Sequence, residues 1–238
     1  MQLVQEIIKT LINEEDIVPG KTIAIYPGRF QPFGPHHKKV FQYLLKKFGD
    51  VYIATSNKSD SARHPLNFKQ KKAHMMKMGI PSNKIVQVKN PYQATEVTKK
   101  FPEDTAVVFA FGKKDAGRIT SGKYFLPYTN KPNYGYKEHG YFITAPHFKV
   151  KVAGYEISGT TMRKIIGSQE LAQDRKKNFK TMFGYWDPKM AKFFVKKFSL
   201  SEYAQYINDE MLQEFFNTID VNKIIESNTQ GGGVDDGP

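Results

Sequence analysis

The strongest constraint on the fold is an alternation that runs through the first half of the chain. Short apolar runs at residues 23–26, 51–55, 84–88 and 105–111 are separated by helically patterned segments that start near Pro35, Asn67 and Pro91. Parallel strands need long crossover connections, and helices supply them on both faces of a sheet. The pattern therefore predicts a Rossmann-like α/β fold, with a parallel five- or six-stranded sheet and helices on both faces. Leu3, Val4, Ile7, Ile8, Leu11 and Ile12 form one apolar stripe and predict an N-terminal helix over 1–15, ended by Pro19-Gly20. Residues 112–150 are rich in Gly, Pro, Tyr and Asn and read as a long excursion containing a hairpin, with short strands at 141–144 and 148–152. Beyond Ser158 the pattern turns helical, with short helices at 179–184 and 190–198. A longer one is marked by Tyr203, Tyr206, Ile207, Met211, Leu212, Phe215 and Phe216. The expected divisions are 1–20 (N-terminal helix), 21–167 (core), 168–228 (C-terminal helical extension) and 229–238 (linker-like tail).

Charge narrows the ligands. The chain of 238 residues carries a net charge of +13, which favours anionic partners. Its 39% hydrophobic and 25% charged residues fit a globular chain, and no apolar run is long enough to span a bilayer. Cysteine is absent, which removes disulfide and thiolate chemistry and points to a reducing cytoplasm. His64, His74, His139 and His147 are scattered without metal-ligand spacing, so each reads as a surface or internally satisfied histidine and no dedicated metal site is expected.

Two segments carry chemistry. The first is Gly28-Arg29-Phe30-Gln31-Pro32-Phe33-Gly34-Pro35-His36-His37, which follows the first strand and opens a helix. A helix N-terminus offers unpaired N–H groups and a positive dipole end to a phosphate, and a histidine in its first turn adds a donor. The second is Ile157-Ser158-Gly159-Thr160-Thr161-Met162-Arg163. There Ser158 is an N-cap, Gly159 allows close approach, Thr160 adds a hydroxyl, and Arg163 adds a planar guanidinium one turn on. The loop of residues 56–67 follows the second strand and reads either as an acceptor-side loop carrying Lys58 and Arg63 or as a plain polar loop.

Together these segments resemble the nucleotidyltransferase superfamily that carries an HxGH signature after its first strand and an ISxTxxR signature before a late helix. Residues 28–33 are similar to those of archaeal-type nicotinamide mononucleotide (NMN) adenylyltransferases and their bacteriophage-encoded, cytidylyltransferase-like relatives, and residues 107–118 resemble the strand end beside the nucleotide. The resemblance covers roughly 21–167 and implies transfer of a nucleoside monophosphate, AMP by first choice, from a triphosphate to a phosphorylated acceptor such as NMN. It implies that His37 and Arg163 are catalytic, with His36 as a further candidate. The nucleotide would be held by Gly28, Arg29, Phe30, Gly34, His37, Gly112, Asp115, Ser158, Thr160 and Arg163. Mg²⁺ would arrive with ATP or, in the cytidylyltransferase variant, CTP. Implied partners are the nucleotide and acceptor, with a homo-oligomer or a phage protein as macromolecular candidates.

One departure is visible. Where the family reads His-x-Gly-His, this chain reads Gly34-Pro35-His36-His37. Adjacent helical residues point about 100° apart, so His36 does not simply replace the missing histidine. That leaves an active enzyme and a nucleotide-binding or structural protein on the same fold both open. A nucleic-acid binder ranks last, because the aromatic residues fall mostly at core-like positions.

Overall fold

The computed structural model describes residues 21–59, 63–119 and 124–206. The predicted N-terminal helix, the part of the predicted longer C-terminal helix from Ile207 onward and the tail lie outside these residues, while Tyr203 and Tyr206 fall in one helix with the predicted 190–198 segment. Six strands form one wholly parallel sheet: β1 (Thr22–Pro27), β2 (Val51–Thr55), β3 (Ile85–Gln87), β4 (Ala106–Phe111), β5 (Phe125–Pro127) and β6 (Gly140–Thr144), in the order β3-β2-β1-β4-β6-β5. The chain works outward from β1 in one direction and then returns to β4 on its other side. That reversal opens a crevice beyond the carboxyl ends of β1 and β4, where open α/β sheets bind ligands.

Alternation along β1 explains how the two faces fill. Ala24 and Tyr26 point to one apolar cluster, Ile23 and Ile25 to the other. The first face is covered by α1 (Pro35–Phe48) and α2 (Phe68–Lys77), then by α5 (Gly159–Gly167), α6 (Arg175–Phe183) and α7 (Pro188–Tyr206). The second carries the short α3 (Thr95–Thr98) and α4 (Lys113–Ile119), through Ala94, Val97 and Ala116. Phe179, Phe183, Phe194 and Phe198 belong to the same buried cluster as Phe30, Phe33 and Met162, so α6 and α7 are continuous with the packing beneath both motifs.

Two sequence expectations change. The excursion over 112–150 holds no hairpin among its described residues: Phe125–Pro127 and Gly140–Thr144 pair in parallel. The segment at 148–152 does not join the main sheet. Only β7 (Lys151–Val152) forms, pairing with β8 (Tyr155–Glu156) around Ala153 and Gly154, whose φ values of 50° and 81° supply the two left-handed residues of a tight turn. Periodicity over so few residues cannot tell the main sheet from a separate ribbon.

Candidate active site

The first motif leaves β1 as a tight turn. Phe30 takes a left-handed φ of 48°, costly for a bulky residue, and is held there by edge and tilted contacts with Tyr26, Phe33 and His37. Its ring lies over Gly28, where a Cβ would stand 2.6 Å from the ring edge. Gly28 therefore makes room for Phe30 itself. Gly34 is the N-cap of α1, Pro35 occupies the first helical position, and the Gly34 N–H donates to Nδ1 of His37 at 2.9 Å. Burial, then the neighbouring His36 and His74, hold His37 well below the ordinary imidazole range. A neutral imidazole that accepts at Nδ1 carries its proton on Nε2, so His37 is a fixed neutral donor.

The second motif caps α5 as the sequence predicts. Ser158 Oγ accepts from Thr161 N at 3.2 Å, and Thr161 Oγ1 accepts from Ser158 N at 2.6 Å. Arg163 is only 7% exposed. Its Nη1 donates to the Gln31 carbonyl at 2.7 Å and its Nη2 to Thr160 Oγ1 at 3.3 Å, while its buried Nε has no partner. No described carboxylate pairs with it. Burial and then Arg63 push its pKa downward. This is a buried cation whose charge no described residue neutralises.

The two motifs enclose a cleft of about 750 Å³ lined by Arg29, Phe30, Gln31, His37, Arg63, His64, Ser158, Gly159, Thr160 and Arg163. Among the described residues the lining holds three arginines and no carboxylate. Arg29 Nη1 donates to Nε2 of His64 at 3.2 Å across the mouth. The structure thus brings Arg29, Phe30, His37, Arg63, Ser158, Thr160 and Arg163 together. It does not bring the other candidates into this cleft. Gly112 and Asp115 lie at the carboxyl end of β4, and Gly28 is covered by Phe30. Lys58 is exposed, and its carbonyl accepts from Gln31. His36 sits outside the lining with its Nδ1 buried and unpartnered, and burial and His147 lower its pKa to about 4. Gly34 is packed under Met162: a Cβ there would meet the sulfur at 2.5 Å. The position of the missing histidine is occupied by a side chain of the second motif.

Two residues that organise the cleft are given no role by the sequence alone, although Gln31 stands within the first motif. Gln31 is buried and bonds Leu66 through both ends of its amide, at 2.7 and 2.9 Å, fixing the 56–67 loop against the first motif. Lys71 is buried in α2 and donates to the carbonyls of Arg29 and Ser56 and to Thr55 Oγ1, clamping the ends of β1 and β2. Burial lowers its pKa to about 8. A signal existed: Lys71, His74, Met75 and Met78 recur at helical spacing, so a lysine and a histidine share an apolar stripe.

Residues 25–165 match the family described as cytidylyltransferase-like, and the chain belongs to that family. Among solved structures it is similar to a bifunctional NMN adenylyltransferase/ADP ribose pyrophosphatase from Francisella tularensis, at 17% identity and a TM-score of 0.50, over 92% of this chain and 58% of that one. The chain thus spans little more than half of that protein, and the likeness is one of fold. A complex of the Francisella protein with AMP and a Mn ion gives a TM-score of 0.44 at 17% identity, over 88% of this chain and 55% of that one. Plasmodium falciparum nicotinic acid mononucleotide adenylyltransferase complexed with NaAD gives 0.45 at 18% identity, over 76% of this chain and 98% of that one. No curated protein sequence matches the chain.

Proposed function

We propose that the chain is a nucleotidyltransferase. An oxygen of a phosphorylated acceptor attacks the α-phosphorus of a nucleoside triphosphate, the bond to the bridging α–β oxygen breaks, and pyrophosphate leaves. The observation that carries this reading is Arg163, buried, paired with no described carboxylate and hydrogen-bonded to Gln31 at the floor of a cleft whose described lining is cationic. Such a site suits a ligand whose negative charge grows or is released. In this reading Arg163, Thr160 and the N-terminus of α5 receive the leaving pyrophosphate, and His37 Nε2–H donates to a phosphoryl oxygen. Arg29 and Arg63 hold the outer phosphates. Mg²⁺ would arrive with the triphosphate and supply charge neutralisation there, since the described lining is cationic and offers it no carboxylate. ATP and NMN are the first substrate pair; CTP with an alcohol phosphate is the second.

The test is pyrophosphate release from ATP and from CTP, each against a panel of phosphorylated acceptors. Turnover with one pair is the expected result; none with any pair, in folded protein, overturns the reading. The packing of Met162 onto Gly34 favours one rival, a nucleotide-binding protein with little or no turnover. Ligand-dependent stabilisation without pyrophosphate release identifies it.

A further inference from the structure

His37 is not oriented by its own helix alone. His74, fully buried on α2, lies with Nε2 2.8 Å from the Phe33 carbonyl oxygen and Nδ1 2.7 Å from the Tyr185 hydroxyl. A carbonyl only accepts, so Nε2 of His74 carries the proton and donates. Burial lowers the His74 pKa to about 4, so its Nδ1 is bare and accepts from Tyr185. The Phe33 carbonyl and the Gly34 N–H are the two ends of one peptide unit, and that N–H donates to His37 Nδ1. The bonds therefore run in one direction: Tyr185 O–H to His74, His74 N–H to the 33–34 peptide, and that peptide to His37. Each bond in such a chain polarises the next. Tyr185 lies between α6 and α7 and packs on Phe179 and His74, so the relay begins in the helices that follow the second motif.

We propose that His74 and Tyr185 are positioning residues which, through the Phe33–Gly34 peptide, fix His37 as the Nε2–H tautomer with that proton directed at the cleft. The proposal gives α6 and α7 a part in the site besides packing. It rests on the nucleotidyl-transfer reading only for its kinetic consequence; the tautomer is a property of the protein alone.

The test uses the whole chain with ¹⁵N-labelled histidine. In the unmodified protein the His37 ring nitrogens should show the pattern of a neutral Nε2–H ring. His74→Phe removes the donor and should move both resonances toward the average of the two tautomers. Tyr185→Phe should move them less in the same direction, and His74→Gln, which keeps an N–H for the Phe33 carbonyl, should restore them. An Nδ1–H ring in the unmodified protein overturns the proposal, as does an unchanged His37 in folded His74→Phe or, should that variant not fold, in Tyr185→Phe. With a working substrate pair, kcat should fall roughly tenfold in His74→Phe at nearly unchanged KM and recover in His74→Gln. A rise in KM alongside the fall in kcat, or no rescue by Gln, marks a merely structural role and overturns the positioning role. Absence of any turnover would count against the nucleotidyl-transfer reading and leaves the ¹⁵N result to decide the relay.

Discussion

The two ends of the sheet treat positive charge in opposite ways. At the amino end, Lys21 and Lys84 stand just before β1 and β3 and both bind Asp50, which stands just before β2, at 2.8 and 2.6 Å. At the carboxyl end, Arg29, Arg63 and Arg163 converge on one cleft whose described lining holds no carboxylate. A fold gains little from exposed pairs and is penalised by an unneutralised buried cation. Paired charge at one end therefore needs no ligand to explain it, while the unneutralised charge at the other end does. The net charge of +13 conceals this difference, because it counts both kinds of cation alike.

The largest effect should come from removing the buried member of the unneutralised set. Arg163→Met should weaken binding of Mg·ATP on the order of 100-fold, the loss of charged hydrogen bonds to phosphate. The same variant should melt no lower than the parent, because a buried cation is replaced by an apolar chain. Titration calorimetry and a thermal melt check the two halves. A lower melting temperature with unchanged binding would make Arg163 structural and erase the contrast between the two ends.

A second experiment probes how tightly the two motifs at the carboxyl end are fitted. Gly34→Ala sets a methyl group 2.5 Å from the Met162 sulfur and should destabilise by about 1–3 kcal/mol in urea unfolding. Met162→Ala in the same chain should recover part of that loss. Full additivity of the two changes would show that the contact is not what excludes a side chain at 34. It follows that rewriting residues 34–37 to the family pattern requires a change at Met162 as well.

The legibility of these features follows from the range of the interactions. The order of strands and helices up to β4 is local, since each strand is a short apolar run and each helix has a start signal such as Gly34-Pro35 or the Asn67 cap. The capped helix start at 157–163 is likewise written in one turn of helix. The interior of the site is not. Gln31 meets Leu66, Arg163 meets Gln31, and His74 meets both Phe33 and Tyr185 across 35 to 132 residues of chain, and no periodicity encodes such pairings. The parallel placement of β5 escaped for a related reason: three residues are too few to show a period.

Lys71 lies between the two extremes, a buried cation clamped by carbonyl groups instead of a carboxylate. Its pKa is lowered to about 8 by burial, so between about pH 8 and the ordinary lysine value the unfolded chain holds a proton that the folded chain has released. Stability must rise with pH across that window. Urea unfolding between pH 7.5 and 10 should show the rise in the parent protein and lose it in Lys71→Met. A parent curve that stays flat would mean that Lys71 keeps its full charge and belongs with the unneutralised set.

The smallest effect belongs to the paired end. Asp50 is only partly buried, and its desolvation works against two nearby ammonium groups, Lys21 and Lys84, whose combined pull lowers its pKa. A carboxylate with a lowered folded pKa stabilises fully above its unfolded value and loses that contribution as pH falls through the folded one. Partly exposed pairs of this kind contribute about 0.2–1 kcal/mol each, and salt screens them. Asp50→Asn should therefore cost no more than about 2 kcal/mol at neutral pH, and nothing measurable once pH falls below the folded value. Its effect on triphosphate affinity should be nil, because the amino end of the sheet lies a strand's length from the cleft. A loss of affinity comparable to that of Arg163→Met would show that the two ends are coupled. The sorting of charge into paired and unpaired sets would then no longer locate the site.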